Sequence, residues 1–381
     1  MQQEVAQTSE LDAQRAVSEL CARLKKPASS YSVIIFFASS AYDFAKVSEL
    51  LYEKFPNAEV IGATTAGELT HEGFKKNTLE LNAISTNIGR TQCKGCLIED
   101  IDGFPIIHKG IISQTAQKAG INLSAQGISK NSFAISLICG ILHAEETVLS
   151  LLYNLVKDPD FLVAGGSAGD DLKFKATYVS YNGKVSSNGA VFLFVKTQDP
   201  FCIYKENIFT ESEKTLLLTD VNPKTHMVNS IDNQNPRRRY AQILGISESQ
   251  VNDALLEHPF GRVFGENTFI ASLVNFNPDG KLLMYARVLQ GNTQTIMNPL
   301  DAVEITEKSC REMKEKIPRP GCVIFFNCIL RTIGFEKSRK QDALVKVWKK
   351  HFPTFGGFST YGEQIGHINS NQTLVALVIG E

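Results

Sequence analysis

Four kinds of side chain in this sequence could do chemistry: acids, histidines, one arginine and a cysteine pair. The acids come first because they recur. Glu68, Asp170 and Glu363 each follow a glycine, in Gly62-Ala63-Thr64-Thr65-Ala66-Gly67-Glu68, Ala164-Gly165-Gly166-Ser167-Ala168-Gly169-Asp170 and Gly357-Phe358-Ser359-Thr360-Tyr361-Gly362-Glu363. Asp171 adds a further acid to the second stretch. Paired carboxylates are the equipment of general acid–base catalysis, so one class of function is an enzyme with its acids at these loops. Recurrence favours a scaffold device, in which the same acid accepts hydrogen bonds from loop N–H groups in each unit. Glycine-rich turns also leave N–H groups free to face a ligand. Thr64, Gly67, Glu68, Gly166, Ser167, Gly169, Asp170, Thr360, Gly362 and Glu363 are therefore the candidate ligand loops.

Of seven histidines, His143 and His226 are the candidate metal ligands. His143 opens a helical stretch on the loop side of its unit. His226 heads a strand beside Met227, a second soft donor. A haem iron needs such a donor facing a largely apolar pocket. His367 reads as a hairpin residue, and His71 and His351 as peripheral. Arg331 is a candidate for carboxylate recognition, because guanidinium bonds carboxylates in a bidentate manner. It suits an amino acid or a haem propionate. Tyr361 and Phe358 offer either an aromatic wall or core packing. Cys93-Lys94-Gly95-Cys96 has metal or redox spacing, but a structural zinc needs a second ligand pair that the sequence does not contain. Two cysteines flanking a Lys-Gly turn is the simpler reading. Arg237-Arg238-Arg239 reads as a solvated helix face. There is no nucleophile elbow, Walker loop or dinucleotide fingerprint.

Elements must position these groups, and the loops share what precedes them: a buried-type strand, then a helix. Residues 32–38, 133–138 and 322–327 are continuous apolar runs suited to strands covered on both faces. Helical periodicity follows over 45–55, 144–156 and 338–351, stopped by Pro56, Asp158-Pro159 and Pro353. Hairpins punctuate this order, at Asn182-Gly183 and Asn277-Pro278-Asp279-Gly280. The expected fold is α+β, with repeated strand–helix–strand units in mixed sheets and two related domains. An amphipathic N-terminal helix (1–30, its periodic part 4–26) precedes domains at 31–199 and 200–381. Gly265-Glu266 marks a degenerate fourth unit. Hydrophobic residues are 43% and charged residues 21% of 381, ordinary for a chain that buries a core. A formal charge of −1 argues against a nucleic-acid footprint. No run approaches a membrane span, and Met1-Gln2-Gln3-Glu4 carries no export signal. With eight cysteines, a reduced, cytoplasmic protein is expected.

The loops 62–68, 165–171 and 357–363, Arg331 four residues beyond Asn327, and the turn at Asp232 together resemble the FIST sensory proteins, which pair an N-terminal and a C-terminal FIST domain. The resemblance runs from about Tyr31 to Glu381. It implies a ligand-binding module rather than an enzyme. In being stand-alone the chain resembles bacterial haem proteins of the family that sense nitric oxide and regulate a partner histidine kinase or a cyclic-di-GMP enzyme in trans. Amino acids are the other ligand class the family implies. Two turns depart from the family pattern. Cys139-Gly140 stands where Asp-Gly is usual, and Asp232-Asn233-Gln234-Asn235-Pro236 where Asp-Gly-x-Pro is common. Both change the polarity or length of turns near the expected pocket.

Overall fold

The structure is a computed structural model that describes residues 1–87, 89–264 and 267–381. One order of elements, strand–helix–strand–helix–strand–hairpin–strand, occurs three times, the third with an insertion after its first strand and an added helix. Repeat 1 is β1 (Gln2–Thr8), α1 (Ala13–Arg23), β2 (Val33–Ser39), α2 (Phe44–Lys54), β3 (Glu59–Thr65), the hairpin β4 (Glu68–Thr70) and β5 (Gly73–Lys75), and β6 (Leu79–Ser85). Repeat 2 is β7 (Thr91–Glu99), α3 (Lys109–Lys118), β8 (Ser132–Cys139), α4 (Glu145–Tyr153), β9 (Val163–Ala168), the hairpin β10 (Val179–Tyr181) and β11 (Lys184–Ser186), and β12 (Gly189–Thr197). Repeat 3 opens with β13 (Phe201–Asn207) and is then interrupted.

The interruption is an antiparallel domain: β14 (Phe209–Asn222), β15 (Met227–Ile231), α5 (Pro236–Leu244), α6 (Val251–Ala254), β16 (Phe260–Phe264), β17 (Asn267–Ala271), β18 (Leu273–Phe276), β19 (Leu282–Met284) and β20 (Thr293–Pro299). Its strands form one sheet in the order β17-β16-β20-β14-β15-β19-β18. Repeat 3 resumes with α7 (Ala302–Lys316), β21 (Pro320–Cys328), α8 (Ile329–Lys337), α9 (Gln341–His351), β22 (Gly356–Thr360), the hairpin β23 (Glu363–Ile365) and β24 (Ile368–Ser370), and β25 (Thr373–Gly380). The expected α+β fold of repeated units in mixed sheets is what the structure shows. Where a fourth unit was expected, the chain runs through the inserted antiparallel sheet, and Gly265-Glu266 themselves lie outside the described residues.

The repeats are interlocked through their hairpins. The three body sheets have the orders β1-β6-β2-β3-β10-β11, β24-β23-β9-β8-β12-β7 and β13-β25-β21-β22-β4-β5. Each hairpin therefore leaves its own repeat: repeat 1 lends β4–β5 to repeat 3, repeat 2 lends β10–β11 to repeat 1, and repeat 3 lends β23–β24 to repeat 2.

The apolar runs are explained by two-sided burial. On β2, Val33, Ile35 and Phe37 face a central core shared by all three body sheets, while Ile34 and Phe36 pack under α1 and α2. On β21, Cys322, Ile324 and Phe326 face the same centre, and Val323 and Phe325 pack under α7 and α9. Each such side chain contributes about 1.5–3 kcal/mol on full burial, so strands of this kind tolerate no polar face. Asp12, Asp43 and Asp301 cap α1, α2 and α7 through side-chain bonds to first-turn amides.

The N-terminal helix is shorter than its periodicity suggests. Residues 2–8 are instead strand β1, paired antiparallel with β6. Its polar side chains are buried and satisfied: Gln3 bonds Asn82 at 2.8 Å and the backbone of Val323 at 2.9 and 3.1 Å. A strand stabilised by amide contacts to another repeat has no hydrophobic period to read. No helix among the described residues is long and apolar enough to cross a membrane.

Candidate functional site

The three glycine loops meet at the centre of the molecule and bond one another. Gly169 and Asp171 donate their N–H groups to Thr64 and Thr65 carbonyls at 2.9 and 3.1 Å. Ala66 donates to the Ser359 carbonyl at 3.1 Å, and Ser359 to that of Gly67 at 2.7 Å. Ser167 donates to the Gly362 carbonyl at 2.8 Å, and Tyr361 to that of Ser167 at 3.0 Å. These amides, expected to face a ligand, are spent on one another. The glycines serve close approach: a Cβ on Gly166 would stand 2.4 Å from Thr360 Cγ2, and one on Gly67, at φ 118°, would stand 2.8 Å from the Lys75 carbonyl oxygen. Thr64 is likewise engaged, accepting from the Tyr178 N–H at 2.9 Å.

Glu68 and Glu363 are held chiefly by hydroxyls, rather than by the loop N–H groups that their recurrence suggested. Glu68 accepts from Thr65 and Thr78 hydroxyls. Glu363 repeats this with Thr360 at 2.5 Å and Thr373 at 2.9 Å. Burial pushes the carboxyl of Glu68 up to about 8 and that of Glu363 to about 7, against the opposing hydroxyl bonds. Strand register corrects the sequence match in the second loop. Ala168 pairs with Cys139 as Thr65 pairs with Ser39 and Thr360 with Cys328, so Asp171, not Asp170, occupies the place of Glu68 and Glu363. With no threonine beneath it, Asp171 turns to repeat 1 and accepts from the hydroxyls of Ser39 (3.0 Å) and Ser40 (2.6 Å).

Arg331 is not available to a ligand carboxylate. Its buried guanidinium pairs with the buried Glu206 and donates to Asn327 Oδ1 at 3.0 Å, tying α8 to β13. Phe358 is core, 4.4 Å from Phe37 between ring centroids. Cys93 and Cys96 sit on β7 with Cys93 toward the central core and Cys96 toward the α3–α4 side; burial pushes their thiols up to about 12 and about 11. Side chains three apart on a strand point to opposite faces, which ends the Cys-x-x-Cys reading. The arginine run is engaged: Arg237 donates to the Asn277 carbonyl at 2.6 Å and Arg239 pairs with Asp232 at 2.7 Å. The turn at Asp232 thus serves α5 rather than a pocket.

His143 and His226 do meet. They share a cavity of about 500 Å³ at the carboxyl ends of β8 and β21, roofed by the inserted sheet. Repeat 2 contributes Gly140, Ile141, His143, Glu145, Glu146, Leu172 and Phe174; the insert contributes Lys224, His226, Val274, Leu283, Met284 and Tyr285; repeat 3 contributes Cys328–Leu330, Tyr361, Asn369 and Asn371. The two rings lie 4.8 Å apart between centroids at 59°. Both residues adopt left-handed backbone, φ 52° and 55°, a conformation costly for a non-glycine residue and often associated with function. His226 is 8% exposed, and its Nδ1 lies 3.1 Å from the Tyr285 carbonyl oxygen. A carbonyl only accepts, so Nδ1 is the donor in this bond and Nε2 takes no part in it. Burial lowers the His143 pKa, and the neighbouring His226 lowers it further, so this imidazole is neutral at physiological pH. Glu145 is buried on the same wall, accepts from the Ser167 hydroxyl at 2.9 Å, and is pushed by burial to about 7. His367 lies apart, edge-on to Tyr153, and His351 pairs with Glu307.

Apart from His226, the insert residues were not legible as site residues, nor were Glu145 and the two asparagines. The segment Asp171-Leu172-Lys173-Phe174-Lys175 held a usable signal, an alternation of apolar and basic side chains straight after a glycine loop.

Comparison with known proteins gives a family. The FIST N domain model matches residues 32–234 and the FIST C domain model residues 237–366. No curated protein matches. Among solved structures, a cyanuric acid hydrolase from A. caulinodans aligns at 7% identity and TM-score 0.37, covering 99% of this chain and 98% of that one. A second cyanuric acid hydrolase structure aligns at 10% identity and TM-score 0.36, covering 99% of each chain. T. maritima PurL complexed with ATP aligns at 11% identity and TM-score 0.19, covering 99% of this chain and 71% of that one. These likenesses are too distant to carry an argument about activity. The family match spans more than half of the sequence, and the chain belongs to the FIST family, whose domains are sensory.

Proposed function

We propose that this protein is a non-enzymatic sensor that holds haem in the cavity beneath the inserted sheet, takes nitric oxide as its signal, and acts in trans on a partner histidine kinase or an enzyme of cyclic-di-GMP turnover. The observation that carries the reading is the convergence of His143 and His226, from separate parts of the chain, on one largely apolar cavity.

The donor set suits haem better than a bare ion. A structural metal ion wants about four protein donors, and no cluster of three His, Cys, Asp or Glu occurs among the described residues. Haem needs only one or two donors from the protein. His226 is the residue that would hold the iron, because the Nδ1 bond to the Tyr285 carbonyl fixes its ring and leaves Nε2 to coordinate. His143, 4.8 Å away between ring centroids, would line the same pocket beside it. Ile141, Val274, Leu283, Ile329 and Leu330 keep water away, and exposed Lys224 at the rim offers a charge to an acidic substituent. Bound there, haem would supply an iron that takes a diatomic gas. Because the walls belong to both body and insert, occupancy bears on contacts between them, a means of reaching a partner.

Hemin titration followed by absorption tests this. The expected result is a Soret band that shifts on reduction and nitric oxide, is lost in His226→Ala, and survives displaced in His143→Ala. Hemin uptake no greater than adsorption to an unrelated protein would overturn the haem reading. Purified kinase or cyclic-di-GMP enzyme, assayed with and without the nitric-oxide-treated protein, tests the partner.

A further inference from the structure

Three residues in a run of four stand in left-handed backbone: Asp171 (φ 56°), Leu172 (φ 61°) and Phe174 (φ 51°). Leucine and phenylalanine rarely accept that region, so the surroundings must impose it. Asp170 does so from below, its carboxylate accepting the amides of Phe174 (2.9 Å), Lys175 (2.6 Å) and Ala176 (3.2 Å). Tyr361, from the loop of repeat 3, fastens the segment. Its hydroxyl donates to Asp170 Oδ1 at 2.6 Å and accepts the Leu172 N–H at 2.7 Å. Lys173 reaches the Ser40 hydroxyl of repeat 1 at 2.8 Å.

Side chains alternate across this segment. Leu172 and Phe174 line the histidine cavity, while Lys173 and Lys175 line a separate hollow of about 450 Å³ beside Ser40, Tyr42 and Thr64. The segment is thus a single-chain wall between two spaces. Its apolar side chains are incompletely covered: Leu172 is 40% and Phe174 54% exposed, with the Phe174 ring stacked on Tyr361 at 5.3 Å and 25°. A flat apolar surface left half-open at a cavity mouth is what a planar ligand covers.

We propose that residues 171–175 form a strap that contacts the ligand, with Leu172 and Phe174 closing on a flat, largely apolar molecule and the Tyr361 hydroxyl acting as the latch that governs opening. This rests on the cavity being a ligand site and does not depend on iron.

The test is limited trypsin digestion of the full-length protein, scoring cleavage after Lys173 and Lys175 against other exposed lysines. Tyr361→Phe keeps the stacked ring and removes both latch bonds. Losing a hydrogen bond to a charged group shifts an opening equilibrium by about tenfold or more, so strap cleavage in the ligand-free variant should accelerate by that factor. Metal-free protoporphyrin IX and hemin should each slow strap cleavage in the wild type, leaving the other lysines unaffected. Phe174→Ala, at an exposed position that does not endanger folding, should weaken protoporphyrin IX binding about tenfold. Cleavage of Tyr361→Phe at the wild-type rate would overturn the latch. Absence of strap protection by both porphyrins would overturn the contact with a flat ligand. Protection by protoporphyrin IX without a histidine-dependent Soret band would remove the haem reading and leave the strap standing.

Discussion

Single residues decide how stability responds to pH. A glutamate in an unfolded chain titrates near 4.3, whereas Glu68 titrates at about 8 and Glu363 at about 7 in the fold. Between those values the folded state holds protons that the unfolded chain has released. Stability from these groups is therefore greatest at low pH and falls as pH rises toward 8. Glu68→Gln should flatten this decline. Urea midpoints at pH 5, 6.5 and 8 check it, and parallel profiles for variant and wild type would show Glu68 ionised throughout. Arg331 and Glu206 make the opposite kind of pair, buried and mutually required. Arg331→Met should cost about 3–5 kcal/mol by stranding Glu206, and adding Glu206→Leu should recover most of it; denaturant titration of both variants decides. At this scale the sequence singled out residue types better than where they point. His143 and His226 stood out by type and flanking pattern, and the fold brings their rings together. Arg331 was legible as a special arginine, but its partner lies 125 positions away, where no spacing rule reaches.

Elements were legible where burial is two-sided or periodic, as in β2, β21 and α2. They were illegible where polar side chains do the holding. β1 is the example: Gln3, Gln7 and Thr8 are buried, and their bonds to other segments look from sequence like a helical stripe. The hairpins after the second and third loops were visible at Asn182-Gly183 and His367, that after the first was not, and the sheet each would join was not legible, since pairing partners are set by the whole assembly. The glycines that allow this exchange are exacting. Gly166→Ala would press a methyl group into Thr360 and Phe326 at 2.4 and 3.0 Å. It should destabilise the protein by about 1–3 kcal/mol, read as a lowered midpoint in thermal or urea unfolding. A neutral result would mean that the loops have more slack than their mutual bonds imply.

On the scale of the molecule, the inserted sheet is what sets repeat 3 apart and what roofs the cavity. Phe209 pairs with Pro299, so the two ends of the insertion lie side by side. Replacing 209–299 with a short turn should leave the body able to fold, with an intact far-ultraviolet spectrum and one cooperative transition. The same deletion removes His226, Tyr285 and the apolar roof, so hemin binding should vanish. Retained binding would place the ligand elsewhere. The insertion was the least legible feature, because its strands and turns were visible while its position inside another unit was not.

The exchange of hairpins also orders events in time. A ribosome delivers the chain from the amino end, yet β9 gains its outer neighbour only when β23 emerges, and β13 stays detached from β21 until β25 slides between them. Until then the growing chain exposes unpaired strand edges, the surfaces most prone to wrong pairing. A nonsense codon before Glu363 would thus do more than shorten the chain. It would leave two of the three body sheets unfinished at once, so quality control in the cell has a nearly all-or-none product to judge, decided by the strands of residues 363–380.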